Sequence, residues 1–90
     1  MKLIDKVSIS PDAIAKRVGD ELVILNIGSG TYFGLDPVGA RIWQLLEEGK
    51  SPTEIRDVMV EEYEVSYETL EHDIAVLLND LLAKALIGTC

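Results

Sequence analysis

The feature that most constrains this chain is a stripe of apolar residues at Leu70, Ile74, Leu77, Leu78, Leu81, Leu82 and Ala85. The spacing follows a helical period for about four turns, so it predicts a helix from a Ser66 N-cap to about Ile87, stopped by Gly88. A helix of that kind must bury its stripe against a second layer. A chain of 90 residues has room for about one domain, read here as residues 1–90. Its core is marginal, burying roughly 60% of the unfolded surface.

Two shorter helices precede the long one. Asp36 is an N-cap with Pro37 at the first helical position, and the stripe Val38, Ile42, Leu45 and Leu46 carries that helix to about Glu48, before Gly49. Ser51-Pro52-Thr53-Glu54 combines an N-cap, a first-turn proline and a capping-box glutamate. The helix it starts runs to about Tyr63 with Ile55, Val58 and Met59 inward. Trp43, beside Ile42, is read as packing into the core rather than lining a groove.

The first half reads as a β-meander. Ala13 to Val18 alternates as a half-exposed strand, and Gly19-Asp20 makes a two-residue hairpin turn. Leu22 to Ile27 is almost continuously apolar, which suits a central strand covered on both faces. Gly28-Ser29-Gly30 is a second turn signal, and Thr31-Tyr32-Phe33-Gly34-Leu35 is a short third strand left at a sheet edge. Val7 to Ser10 is ambiguous, and Pro11 ends it. The architecture that follows is α+β and winged helix-turn-helix-like: a three-stranded antiparallel sheet followed by three helices.

Charge narrows the partners. Sixteen acidic and eight basic residues give −8, and residues 36–90 carry twelve of the acids against four bases. Such a surface repels phosphate, which argues against nucleic acid and against anionic membrane. A winged-helix DNA reader needs a basic recognition helix, whereas residues 67–87 carry Glu68, Glu71, Asp73 and Asp80 against Lys84 alone. No stretch approaches the ~20 apolar residues of a membrane span, and Met1 to Lys6 has no signal-peptide run. A lone terminal thiol, Cys90, suits a reducing cytoplasm.

Catalytic chemistry is thin. His72, the single histidine, sits between Glu71 and Asp73 and reads as a solvated surface imidazole. Cys90 lies at a terminus that is poor for holding a nucleophile, so a small hydrolase is disfavoured. No metal-ligand spacing exists. Glu61, Glu62 and Glu64 read as a solvated face, since they lack the spacing of a calcium loop. Gly28-Ser29-Gly30 lacks the helix start that a phosphate cradle requires. The chain is therefore expected to be no enzyme and to use no cofactor or metal.

What remains asks for a peptide. An exposed aromatic edge strand beside an acidic helix makes a groove for β-strand addition, in which backbone hydrogen bonds hold the ligand and pockets select its side chains. Phe33 and Leu35 share one face of the strand and Tyr32 looks the other way; one face is core and the other is free to line the groove. Gly34 marks a bulge or the close approach of another chain. An open edge also allows a weak homodimer.

Gly30-Thr31-Tyr32-Phe33-Gly34-Leu35-Asp36-Pro37-Val38-Gly39-Ala40-Arg41-Ile42-Trp43, followed by Leu45-Leu46-Glu47-Glu48-Gly49, resembles the PqqD-like family of RiPP recognition elements. The similarity runs from about Asp12 to Ile87 and is nearest to the stand-alone members of lasso peptide biosynthesis. It implies a non-catalytic module that binds a precursor's leader peptide as an added antiparallel strand, against the third helix. The implied peptide-binding positions are Thr31, Tyr32, Phe33 and Leu35 on the strand and Leu70, Asp73, Ile74 and Leu77 on the helix. It also implies a separate processing enzyme: a leader-removing cysteine protease in a lasso pathway, or a radical enzyme in a pathway such as that of pyrroloquinoline quinone. Asp73 would steer a basic leader, or else only stabilise the start of its own helix.

Overall fold

The computed structural model describes residues 6–89. The ends discussed above, Met1 to Asp5 and Cys90, lie outside the described residues. The elements in chain order are β1 (Val7–Ile9), β2 (Ala13–Val18), β3 (Glu21–Asn26), β4 (Thr31–Leu35), α1 (Pro37–Glu47), α2 (Pro52–Glu62), α3 (Tyr67–Ala83) and β5 (Ile87–Thr89).

β2, β3 and β4 form the antiparallel meander read from the sequence, with β3 in the centre. Val18 pairs with Glu21 across the Gly19-Asp20 turn, and Gly19 takes a φ of +63°, as a tight Gly-X hairpin requires. The three helix starts also form as their caps dictate. Asp36 accepts from the Gly39 N–H, Ser51 and Glu54 complete a reciprocal capping box, and Ser66 accepts from the Thr69 N–H. α1 and α2 are tied by Arg41, whose Nε and Nη2 donate to Glu62 at 2.9 and 2.6 Å. That hydrogen bonding holds the Glu62 carboxyl below the usual range for a glutamate.

The core is the contact between the inner face of β3 and β4 and the three helices. It contains Leu22, Ile24, Leu35, Ile42, Trp43, Leu45, Ile55, Met59, Leu70, Ile74, Leu78 and Leu81. Trp43 is 1% exposed, so it packs as core.

Four expectations need correction. The ambiguous Val7–Ile9 segment is a strand, and it pairs antiparallel with β5 in a second sheet of two strands. α3 ends at Ala83 rather than near Ile87, because Ala85 turns the chain into the left-handed region at φ +56° and Leu86 and Ile87 bury themselves in the core. Ala85 is thus an exposed turn residue, not part of the helical stripe. β3 has one face covered, by Leu22, Ile24 and Asn26, while Val23 and Leu25 on the other are half-buried. Finally, Gly34 forms no bulge. It pairs in register with Val23, and a Cβ added there would meet open space.

Candidate peptide groove

A groove of about 700 Å³ opens between the outer edge of β4 and α3. Its strand wall is Phe33, Gly34 and Leu35, its base is Val38, Gly39 and Ile42 of α1, and its helix wall is His72, Asp73, Val76, Leu77 and Asp80; Glu21 and Asp36 complete it. The base is tight because residue 39 has no side chain. A Cβ there would lie 3.2 Å from Leu35 Cδ2 and 3.4 Å from Asp36 Oδ1. Glycine lets the first turn of α1 close against β4.

Among the described residues, β4 is hydrogen-bonded to β3 on one side only. Alternate backbone N–H and C=O groups on its other side face the groove and await a partner. Alternation directs Phe33 and Leu35 to the inner face and Tyr32, 71% exposed, outward. The inner face supplies both core and groove: Leu35 is buried, and Phe33, half-buried, stands at the rim.

Asn26 fixes the separation of the two walls. It is the one buried polar side chain among the described residues. Its Oδ1 accepts from the N–H groups of Gly28 (2.9 Å) and Ser29 (3.2 Å), shaping the turn that leads into β4. Its Nδ2 donates to the carbonyls of Lys84 (3.4 Å) and Ala85 (3.2 Å), where α3 has just ended. Lys84 adds a second tie, its ammonium 5.7 Å from the centre of the Phe33 ring. Sequence reading missed Asn26 because it looks like one polar residue at a strand end; the 59-residue separation from Ala85 hides the contact. Asn26→Asp keeps the acceptor but loses both Nδ2 bonds and sets a carboxylate against two carbonyls. We expect it to lower stability by about 1–3 kcal/mol in urea unfolding. An unchanged midpoint would show that the tie contributes nothing.

The family model described as Coenzyme PQQ synthesis protein D (PqqD) matches residues 21–87. The chain belongs to the PqqD family. The matched stretch contains every element that walls the groove. Among solved structures, this PqqD-family chain is similar to TbiB1 in complex with the TbiA(beta) leader peptide. The two are 47% identical over 90% of this chain and 94% of that one, with a TM-score of 0.86. It is also similar to lasso peptide synthetase B1 complexed with the leader peptide, at 29% identity over 92% of this chain and 98% of that one, with a TM-score of 0.84. No curated protein matches the chain.

Of the eight positions named from the sequence, Phe33, Leu35, Asp73 and Leu77 line the groove. Thr31 and Tyr32 are exposed on β4 outside its lining. Leu70 and Ile74 are 3% and 0% exposed and pack in the core beneath it. Groove residues not named for that role are Glu21, Asp36, Val38, Gly39, Ile42, His72, Val76 and Asp80. His72, read as a solvated imidazole, is exposed and stands on the helix wall. Among the described residues no group of three or more His, Cys, Asp or Glu side chains could hold a metal ion, and no helix is long and apolar enough to cross a membrane.

Proposed function

We propose that this protein captures the leader segment of a ribosomally made precursor peptide and delivers it to a separate processing enzyme. The leader adds as an antiparallel strand to the free edge of β4 and lays alternate side chains into the groove against α3. One observation carries the reading. A groove runs along an unpaired strand edge, in a chain 47% identical to a protein whose solved structure contains a leader peptide.

The protein works without catalysis of its own, as one domain and in the cytoplasm. Its partner enzyme is the leader-removing cysteine protease of a lasso pathway. The family description points instead to PQQ synthesis, for which the sequence resemblance implies a radical enzyme as partner. Both similar solved structures are leader-peptide complexes, and one is named lasso peptide synthetase B1, which favours the lasso reading.

The test is titration of the protein with synthetic leaders of the short precursor peptides encoded in its own genome. The expected affinity is micromolar to nanomolar, about 8–12 kcal/mol. Absence of saturable binding to any of those leaders overturns the proposal.

A further inference from the structure

Building on the peptide-binding reading, we propose that the groove selects an extended segment with a lysine or arginine at one end, received by Glu21, Asp36 and Asp73, and apolar side chains beyond it. The polarity follows from how the walls run. Asn26, which pairs with Thr31 at the start of β4, donates to the carbonyls of Lys84 and Ala85 just past α3. Asp73 is eleven residues before Lys84, about 16 Å away at 1.5 Å per residue. Thr31 to Asp36 spans about the same length of strand. The C-terminal end of α3 thus lies at the Thr31 end of β4, and Asp73, about a strand length back along the helix, lines the groove with Leu35 and Asp36. Glu21 joins them because Leu22 pairs with Leu35.

Three elements distant in sequence thus bring three carboxylates to one end of the groove. Their surroundings are not already neutralised. Among the described residues, no lysine or arginine lines the groove and none of the three carboxylates is in an ion pair. Asp36 accepts one N–H, from Gly39 at 2.8 Å, and a carboxylate can accept more. The fourth carboxylate, Asp80, sits one helical turn before Lys84 and shares that cation's field. The middle is apolar, with Phe33, Leu35, Ile42, Val76 and Leu77. A cation over the apolar stretch would lose hydration without a partner, whereas at the Asp73 end it stays at the rim beside opposite charge. In antiparallel pairing with β4, the Leu35 end receives the N-terminal part of the ligand. The lysine or arginine therefore precedes the apolar positions.

The test is selection of strand-length peptides from a random display library on the immobilised full chain. Titrations of a selected peptide and its Lys→Gln version then follow at low and high salt. The expected result is enrichment of Lys or Arg on the N-terminal side of two apolar positions. The Lys→Gln version should bind about two- to fivefold more weakly at low salt, and salt should remove the difference by shortening the screening length.

A bulk effect of the −8 charge is separated by two charge-matched variants. Glu21→Gln with Asp73→Asn removes two groove carboxylates; Glu47→Gln with Glu61→Gln removes two exposed ones elsewhere. Only the groove pair should weaken the lysine peptide more than it weakens the glutamine peptide. Equal losses in both pairs, or selected peptides without cations, overturn this inference while peptide binding stands. Selection of no peptide overturns the peptide-binding reading itself.

Discussion

A proline in the middle of the leader's pairing segment should weaken binding by about 10- to 100-fold. In strand addition each peptide residue whose N–H points at β4 would donate to a carbonyl of the edge strand, and proline has no N–H to donate. The carbonyl it abandons lies in a groove partly shielded from water. Leaving such an acceptor unsatisfied costs about 1–3 kcal/mol, most of it felt as affinity. The position dependence is more telling than the size. In a strand, alternate residues aim their N–H at opposite sides, so a proline scan should alternate between strong and weak effects with period two. A helix laid in the same groove would lose affinity wherever proline breaks it, without that alternation. Isothermal titration of each variant reads the pattern, and a flat scan at unchanged affinity rules out strand addition.

Much of the fold was legible because its signals are local. The Asp36-Pro37, Ser51-Pro52 and Ser66 starts, and the Gly19-Asp20 turn, act within one turn of chain, where cap chemistry and φ preference dominate. The errors lie where a distant segment overrides the local preference. The helical reading runs on to about Ile87, yet Ile87–Thr89 closes a second sheet with Val7–Ile9, a pairing with no sequence-adjacent turn to announce it. Ala85 tolerates a left-handed φ that glycine would adopt more cheaply, so no punctuation marked the end of α3.

The groove shows the same division. Phe33, Leu35, Asp73 and Leu77, four of the positions that the family resemblance implies, line it. Leu70 and Ile74 belong to the same helical stripe, but a stripe wide enough to pack on a core is wider than the part that faces the groove. Spacing alone does not separate the two arcs. The contributions of Glu21, Asp36 and Val38 were hidden for a different reason. They depend on which end of β4 meets which end of α3, a tertiary fact that only the described contacts reveal.

Trp43→Ala should cost about 3–5 kcal/mol of stability, a large part of what a domain this size possesses. Trp43 is the largest side chain in the core, 1% exposed on α1. Removing it leaves a void that helices tied by caps and by the Arg41–Glu62 pair cannot readily close. Its indole N–H contributes no compensating bond, since Nε1 has no partner among the described residues. Trp43→Phe therefore fills most of the volume and relieves a buried donor, and it should cost far less than Trp43→Ala. Because Trp43 is the only tryptophan, circular dichroism rather than tryptophan fluorescence must follow unfolding. The effect on leader binding should be indirect. Trp43 does not line the groove, although its neighbour Ile42 does. The alanine variant should thus lose apparent affinity only through its unfolded fraction, and saturating leader should restore much of its melting temperature by mass action. An alanine variant of wild-type stability that no longer binds leader would move Trp43 from the core to the ligand surface.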